Sequence, residues 1–97
     1  MTINKTSQDA AVTMALTGRL DTSTAPELER ALNECEGMNS LTLDFAELEY
    51  ISSAGLRVLL QAQKKLSALG GLKIQHVNET IQEVFEITGF SDILTIE

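Results

Sequence analysis

Apolar and polar residues alternate in three short segments of the chain, 11–17, 41–45 and 72–77. A period of two places every second side chain on the same face, so each segment is predicted to be a strand with one buried face. A further apolar run at 93–96 predicts a short last strand. An edge strand is also expected to begin at Ile3 and to be joined to the first of these strands by a turn at 7–9.

Between the strands, apolar residues recur every three or four positions, which predicts amphipathic helices. The first helix is expected to begin at Thr24, with Glu27 at the spacing of a capping box, and to end near Glu36 before Gly37. The segment 18–23 before it is predicted to be a loop. The apolar stripe of this helix consists of Ala25, Leu28, Ala31, Leu32 and Cys35.

The second and third helices are predicted in the same way. The second is expected to begin near Ser52 and Ser53, after a crossover segment at 46–51, and to end at the glycine pair 70–71. Its stripe consists of Leu56, Leu59, Leu60, Gln63, Leu66 and Leu69. Asn78 is expected to cap the third helix and Gly89 to end it. The stripe of that helix consists of Ile81, Val84, Phe85 and Thr88.

This order of elements predicts an α/β fold with a single mixed, mostly parallel sheet of four to five strands and amphipathic helices packed against it. The 97 residues suffice for one domain, which we expect to span 1–97. Binding sites in such sheets tend to lie on loops at strand ends, so 21–24 and 50–55 are the two loops of interest.

Charge and composition narrow the classes of partner. The net charge of −7 opposes binding to nucleic acid and to anionic lipid surfaces. The single cysteine, Cys35, forms no internal disulfide, and together with the single histidine, His76, it is too little for a His/Cys metal site. No apolar run has the length of a signal peptide core or a membrane span. We therefore expect a cytoplasmic protein with no metal and no other cofactor.

The sequence lacks the motifs of the common enzyme classes. It has no glycine-rich nucleotide loop, and Ile51 stands two residues before Ser53 where a nucleophile elbow has glycine. His76 is expected to be a half-exposed strand residue, and Cys35 a small core residue rather than a reactive thiol. We therefore expect no catalysis by this chain.

Two adjacent serines, Ser52 and Ser53, stand at the expected beginning of the second helix and precede Ala54 and Gly55. One serine is enough for an N-cap. The pattern leaves two interpretations: capping alone, or a hydroxyl that carries a phosphoryl group, since a helix N-terminus favours negative charge. Gly55 costs about 1 kcal/mol relative to alanine in a helix, and it would let another surface approach the backbone closely.

Three parts of the sequence, in the correct order, resemble the STAS domain family and within it the stand-alone anti-sigma factor antagonists of bacteria. The central part is the strand 41–45 followed, after a spacer at 46–51, by Ser-Ser-Ala-Gly-Leu at 52–56. The upstream part, 18–25, is similar to the Gly-x-Leu-Asp loop of the family. The downstream part comprises the glycines at 70–71, a strand, and Phe85-x-x-x-Gly89-Phe90 before a last strand.

The resemblance implies a phosphoacceptor at Ser53, with Ser52, where relatives usually have Asp, as the alternative. It implies that Asp21 and Asp44 lie beside the acceptor, so that an added phosphate meets two like charges. The partner-binding residues that it implies are Asp21, Thr22, Ser23, Asp44, Ser52, Ala54, Gly55 and Leu56.

The mechanism that the resemblance implies is a partner switch. The unphosphorylated protein, a monomer when free, would bind an anti-sigma factor that is also a serine kinase and so release a sigma factor. Phosphorylation at Ser53 would end that binding, and a serine phosphatase would restore it. Two alternatives stay open at this point. One is a STAS subunit or scaffold of a membrane-transport or signalling assembly that phosphorylation does not regulate, and the other is a small serine hydrolase with His76 as its base.

Overall fold

A mixed five-stranded sheet forms one layer of the molecule in the computed structural model, which describes residues 1–35 and 37–97. β1 and β2 form an antiparallel hairpin, and all other neighbouring strands are parallel. The predicted mixed, mostly parallel sheet is confirmed. Its strands lie side by side in chain order: β1 (Thr2–Gln8), β2 (Ala11–Leu20), β3 (Ser40–Ile51), β4 (Leu72–Gln75) and β5 (Thr95–Ile96).

Helices connect the parallel strands: α1 (Ala25–Asn33), α2 (Ser53–Leu66) and α3 (Glu79–Thr88), the last followed by a short 3₁₀ helix at Phe90–Asp92. Because crossovers between parallel strands are right-handed, successive crossovers between neighbouring strands place these helices on one face of the sheet. Strand residues on that face are buried, whereas alternate residues such as Thr13 are exposed. The sheet thus has one covered and one open face.

One apolar cluster fills the space between the sheet and the helices. Its largest fully buried side chains are Phe45 from β3 and Phe85 from α3. Among the described residues, no polar or charged side chain is buried. Burying one such aromatic or aliphatic side chain contributes about 1.5–3 kcal/mol, so the layer of helices is held to the sheet mainly by the hydrophobic effect.

β2 and β3 both extend beyond their predicted ends. β2 continues to Leu20 through part of the predicted loop, and β3 continues to Ile51 through the whole predicted crossover segment. Beyond Phe45 the buried residues of β3 are spaced by three, at Leu48 and Ile51. The reason is that β3 twice advances one residue more than β2 does, and such bulge-like shifts break the alternation of faces.

Three smaller strand predictions are also wrong. The β1–β2 turn lies at Asp9 and Ala10, and Asp9 takes the left-handed conformation (φ 57°) that Asp tolerates better than most residues. β4 ends at Gln75 rather than at residue 77, because His76 leaves the extended conformation with φ 60°. β5 comprises only Thr95–Ile96, since the 3₁₀ helix occupies the chain just before it.

The helix ends differ from prediction as well. α1 ends at Asn33, and the predicted end at Glu36 lies outside the described residues. Cys35 follows the helix, is buried, and donates its thiol to the carbonyl of Ala31 at 3.2 Å, as expected of a small core residue. Leu69 lies beyond the end of α2 and is 55% exposed, and Thr88 is exposed, so neither belongs to a buried stripe.

Candidate functional site

The last residues of β2 and β3 meet at the beginning of α2. The backbone N–H of Ser52 donates to the carbonyl of Leu20 at 2.9 Å, which joins the start of α2 to the end of β2. The segment from Asp21 to Thr24 leaves the same end of β2 and leads into α1. The two loops of interest therefore lie side by side at one edge of the sheet.

Ser52 and Ser53 have different structural roles. Ser52 is the N-cap of α2, with an extended backbone, and its Oγ accepts a hydrogen bond from the N–H of Gly55 at 3.5 Å. Ser53 is the first residue of the helix, and its side chain is exposed. The predicted helix start is confirmed. Because Ser52 supplies the cap, the hydroxyl of Ser53 is free of a structural task at this helix end.

Gly55 and Leu56, which follow the two serines in α2, are buried. A Cβ on residue 55 would lie 2.7 Å from Cγ of Leu20 and 2.9 Å from Cγ1 of Ile51. The glycine therefore allows α2 to pack closely on the ends of β2 and β3. The prediction that Gly55 opens the backbone to another surface is wrong, and Leu56, at 6% exposed, is also a core residue rather than a contact residue.

Asp21 organises the loop before α1. Its Oδ1 accepts hydrogen bonds from the Ser23 hydroxyl at 2.8 Å, the Ser23 N–H at 3.0 Å and the Thr24 N–H at 3.2 Å. These donors, the Ser23 hydroxyl foremost, hold the pKa of Asp21 below its ordinary value. The predicted capping box with Glu27 does not form, because the Thr24 hydroxyl donates to the carbonyl of Arg19 at 2.7 Å instead of accepting from the first turn.

Arg19 and Tyr50 form an exposed pair that the sequence did not reveal. They face each other in the register of β2 and β3. The guanidinium carbon of Arg19 lies 4.5 Å from the centre of the Tyr50 ring, and its Nε lies 3.8 Å from Oδ2 of Asp21. Only strand pairing brings these residues together, so no short motif could have signalled them.

Asp44 does not lie beside Ser53. β3 continues for seven residues beyond it, to Ile51, which at about 3.3 Å per residue is roughly 20 Å along the strand. The carboxylate of Asp44 instead accepts from the N–H of Ala46 at 3.0 Å and lies 2.8 Å from Nδ1 of His76. The Ala46 hydrogen bond first and the imidazole second hold the pKa of Asp44 below its ordinary value. The prediction of Asp44 as a neighbour of the acceptor is wrong.

A shallow groove between α1 and α2 begins next to the serines. Thr22, from the loop, and Ala54, from α2, lie on its walls, so the structure brings these two predicted residues together. Pro26 and Arg57 line the same groove and were missed. The spacing of four residues between Ser53 and Arg57 was the signal in the sequence that could have identified the arginine.

Two further features bear on ligand classes. Within the described part of the chain, no group of three or more His, Cys, Asp or Glu side chains is placed to hold a metal ion. Of the helices that the structure describes, none combines the length and hydropathy needed to span a bilayer. The polar groups of the loop and the groove include the hydroxyl of Ser53, the carboxylates of Asp21 and Glu29, which accept hydrogen bonds, and the guanidinium groups of Arg19 and Arg57, which donate them.

Comparison with known sequences finds a match over residues 3–95 to the family model described as Mlab, STAS domain. The chain is 36% identical over 91 residues to BtrV of Bordetella bronchiseptica, a candidate anti-sigma factor antagonist, covering 91% of this chain and 78% of that protein. It is 30% identical, over an alignment of 105 positions, to the anti-sigma-B factor antagonist of Staphylococcus aureus, covering 99% of this chain and 92% of that protein.

Solved structures show the same fold. The anti-sigma factor antagonist SpoIIAA in its unphosphorylated form has a TM-score of 0.78 at 16% identity, over 99% of this chain and 87% of that one. The phosphorylated form of the Bacillus cell fate determinant SpoIIAA has a TM-score of 0.76 at 17% identity, over 99% and 91%. At these identities the likeness concerns the fold alone, and it confirms the predicted architecture.

Proposed function

The chain belongs to the STAS domain family, and we propose that it acts there as an anti-sigma factor antagonist. The relatives from Bordetella and Staphylococcus, which are named for this role and match over most of their own length, support the proposal. In its unphosphorylated form the protein binds an anti-sigma factor that is also a serine kinase. The sigma factor that this kinase held is thereby released.

The observation that carries the proposal is the exposed hydroxyl of Ser53 at the first position of α2, next to a serine that already caps the helix. A kinase needs a hydroxyl that can enter its active site without unfolding of the substrate. Ser53 offers this, whereas modification of Ser52 would disrupt its hydrogen bond to the N–H of Gly55. Ser53 is therefore the proposed acceptor.

The switch is a transfer of one phosphoryl group. The hydroxyl oxygen of Ser53 attacks the γ-phosphorus of ATP on the partner kinase, a new O–P bond forms, and the bond to the leaving ADP breaks. The hydroxyl proton passes to a base of the kinase. A serine phosphatase later hydrolyses the ester, which returns the hydroxyl and releases inorganic phosphate. All catalysis belongs to the two partners, and this chain acts as their non-enzymatic substrate.

Phosphorylation is expected to weaken binding through charge and size. It adds about −1.5 to −2 charges at neutral pH, in a chain whose net charge is already −7. Asp21 contributes a carboxylate to the loop before α1, Thr22 and Ser23 of that loop are exposed, and Ala54 on α2 is half-exposed. We take these residues as the partner-binding surface, together with Ser52 and Ser53. A loss of about 1.4 kcal/mol lowers affinity tenfold, so one phosphate suffices for a switch.

The fold is expected to survive phosphorylation. Ser53 lies outside the apolar core, and the N-terminus of a helix favours negative charge. The phosphorylated chain is then a folded protein that has lost its partner. We further propose a single domain over 1–97 that is cytoplasmic and monomeric when free.

Incubation with candidate anti-sigma kinases and ATP, followed by mass spectrometry of the modified peptide, tests this function. We expect one phosphate, on Ser53, and none on Ser53→Ala. Ser52→Ala is the matched control and should still be phosphorylated. If every cognate kinase leaves the chain unmodified, phosphorylation does not regulate this protein and the role of an unregulated STAS scaffold takes its place.

A further inference from the structure

We propose that Arg57 is the intramolecular partner of the phosphate on Ser53 and holds it against the first turns of α2. This inference rests on the proposed function, because it concerns the phosphorylated form of Ser53. It extends that function by assigning the residue that receives the added charge and that sets how accessible the phosphate is to a phosphatase.

The geometry of α2 brings the two side chains together. Arg57 follows Ser53 by four residues in the same helix. Residues at this spacing lie on one side of a helix, with Cβ atoms about 5–6 Å apart, and an acidic group N-terminal to a basic one is the favourable order. Helical side chains also lean toward the helix N-terminus. The guanidinium of Arg57 can therefore reach the turn that begins at Ser53.

Arg57 is available for such a contact. It is exposed, and the ion pairs found within residues 1–35 and 37–97 do not include it. It borders the groove between α1 and α2, where Glu29 is the acidic residue on the facing helix, but the two do not form an ion pair. The other arginine near the serines, Arg19, is already engaged with Asp21 and Tyr50.

The chemistry of the two groups matches. A guanidinium presents two parallel N–H donors to two phosphate oxygens, and this pairing is stronger than that of a lysine ammonium. Because the first turn of α2 contains no acidic residue, no carboxylate of that turn competes for Arg57. A phosphate held in this way lies along α2 instead of projecting from it. Phosphatases should then remove it more slowly from the wild-type chain than from a variant without the arginine.

The test uses full-length chain carrying phosphoserine at position 53, installed during translation so that no kinase is needed. ³¹P NMR follows the second ionisation of the phosphate, whose ordinary pKa is about 6. In Arg57→Gln we expect this pKa to be about 0.15–0.4 higher than in the wild type, because a neighbouring cation favours the dianion. Arg57→Lys should show a smaller increase.

The matched control is Lys64→Gln, which removes one positive charge from the same helix at a position about 16 Å from Ser53 along the helix axis. Its phosphate should titrate as in the wild type. The inference is overturned if Arg57→Gln leaves the pKa unchanged, or if both glutamine variants shift it equally. Arg57→Met, another neutral side chain of similar length, replaces Arg57→Gln should that variant not fold.

The titration result for Arg57 does not depend on whether a kinase phosphorylates Ser53 in the cell. If the installed phosphate pairs with Arg57 but no kinase modifies Ser53, the proposed function fails and the pairing stands. If a kinase modifies Ser53 but the titration is unaffected by Arg57, the proposed function stands and the pairing is excluded.

Discussion

Gly55 lies so close to Leu20 that a single added methyl group would come within 2.7 Å of the leucine Cγ. Leu20 is fully buried at the end of β2, so it has little room to move away. This contact fixes the height of α2 above the sheet, and with it the position of Ser53 two residues earlier. Gly55 thus positions Ser53 indirectly, through the packing of α2 on the sheet.

Gly55→Ala should therefore destabilise the protein, although alanine is the better helix former by about 1 kcal/mol. Overpacking of a filled core typically costs about 1–3 kcal/mol, and here both nearest neighbours, Leu20 and Ile51, are buried. Urea unfolding at pH 7 measures the difference. Ala54→Gly is the reciprocal control and should cost only the helix propensity of about 1 kcal/mol. A Gly55→Ala variant more stable than the wild type would contradict the packing described here.

Single alanine variants of the two serines should separate capping from modification. Ser52→Ala loses an N-cap hydrogen bond and should lower the free energy of unfolding by about 0.5–1 kcal/mol. Ser53→Ala should change it by less than about 0.5 kcal/mol, since the side chain is exposed and away from special contacts. Chemical denaturation of both variants checks this order. A larger loss for Ser53→Ala than for Ser52→Ala would mean that the roles are exchanged.

The sequence predicted most of the architecture because local patterns were consistent with the final packing. α3 begins after Asn78 and ends before Gly89, as predicted. The Asn78 side chain accepts a hydrogen bond from the N–H of Ile81 at 2.8 Å, and Gly89 takes the left-handed conformation. The second half of β3 was missed for a physical reason. Its two register shifts against β2 change the burial period, and the information for those shifts lies in the pairing of two strands rather than in either alone.

The site was predictable only in part for the same reason. Ser52 and Ser53 could be identified as the beginning of a helix, because capping depends on neighbouring residues. The distance between Asp44 and Ser53 could not be predicted from the sequence, because it depends on where β3 ends. The Arg19–Tyr50 pair exists only through the β2–β3 register.

Asn78 joins α3 to β3 as well as capping the helix. Its side-chain oxygen accepts from the N–H of Ile81, and its amide donates to the carbonyl of Leu48 at 2.9 Å. Asn78→Ala removes both hydrogen bonds and should cost about 1.5–2.5 kcal/mol. Asn78→Asp keeps the cap but loses the donor, so it should cost less. Thermal unfolding of the two variants tests this. Equal losses would show that only the contact with Leu48 matters.

The stability of the protein should decrease in acid through Asp44. Its pKa is lowered in the folded state, first by the Ala46 N–H and then by His76. A lowered folded pKa means that the unfolded chain binds the proton more readily, so the stabilisation is present above the unfolded value of about 3.9 and is lost as the pH falls through the folded pKa.

Asp44→Asn should therefore flatten the dependence of the urea midpoint on pH below about pH 4. His76→Ala should flatten it only in part, because the Ala46 hydrogen bond remains. Asp92→Asn, which removes the same charge from the 3₁₀ helix, is the control for net charge. If the urea midpoints of Asp44→Asn and Asp92→Asn fall with decreasing pH in the same way as that of the wild type, Asp44 does not contribute to the loss of stability in acid.

The dissociation constant for the cognate anti-sigma factor, measured by calorimetry with Ser53 unmodified and phosphorylated, tests the central claim most directly. We expect the phosphorylated chain to bind at least about tenfold more weakly, which corresponds to about 1.4 kcal/mol or more, while its circular dichroism spectrum stays that of the folded protein. Equal affinity of the two forms would contradict the switch, and so would a loss of affinity that results from unfolding.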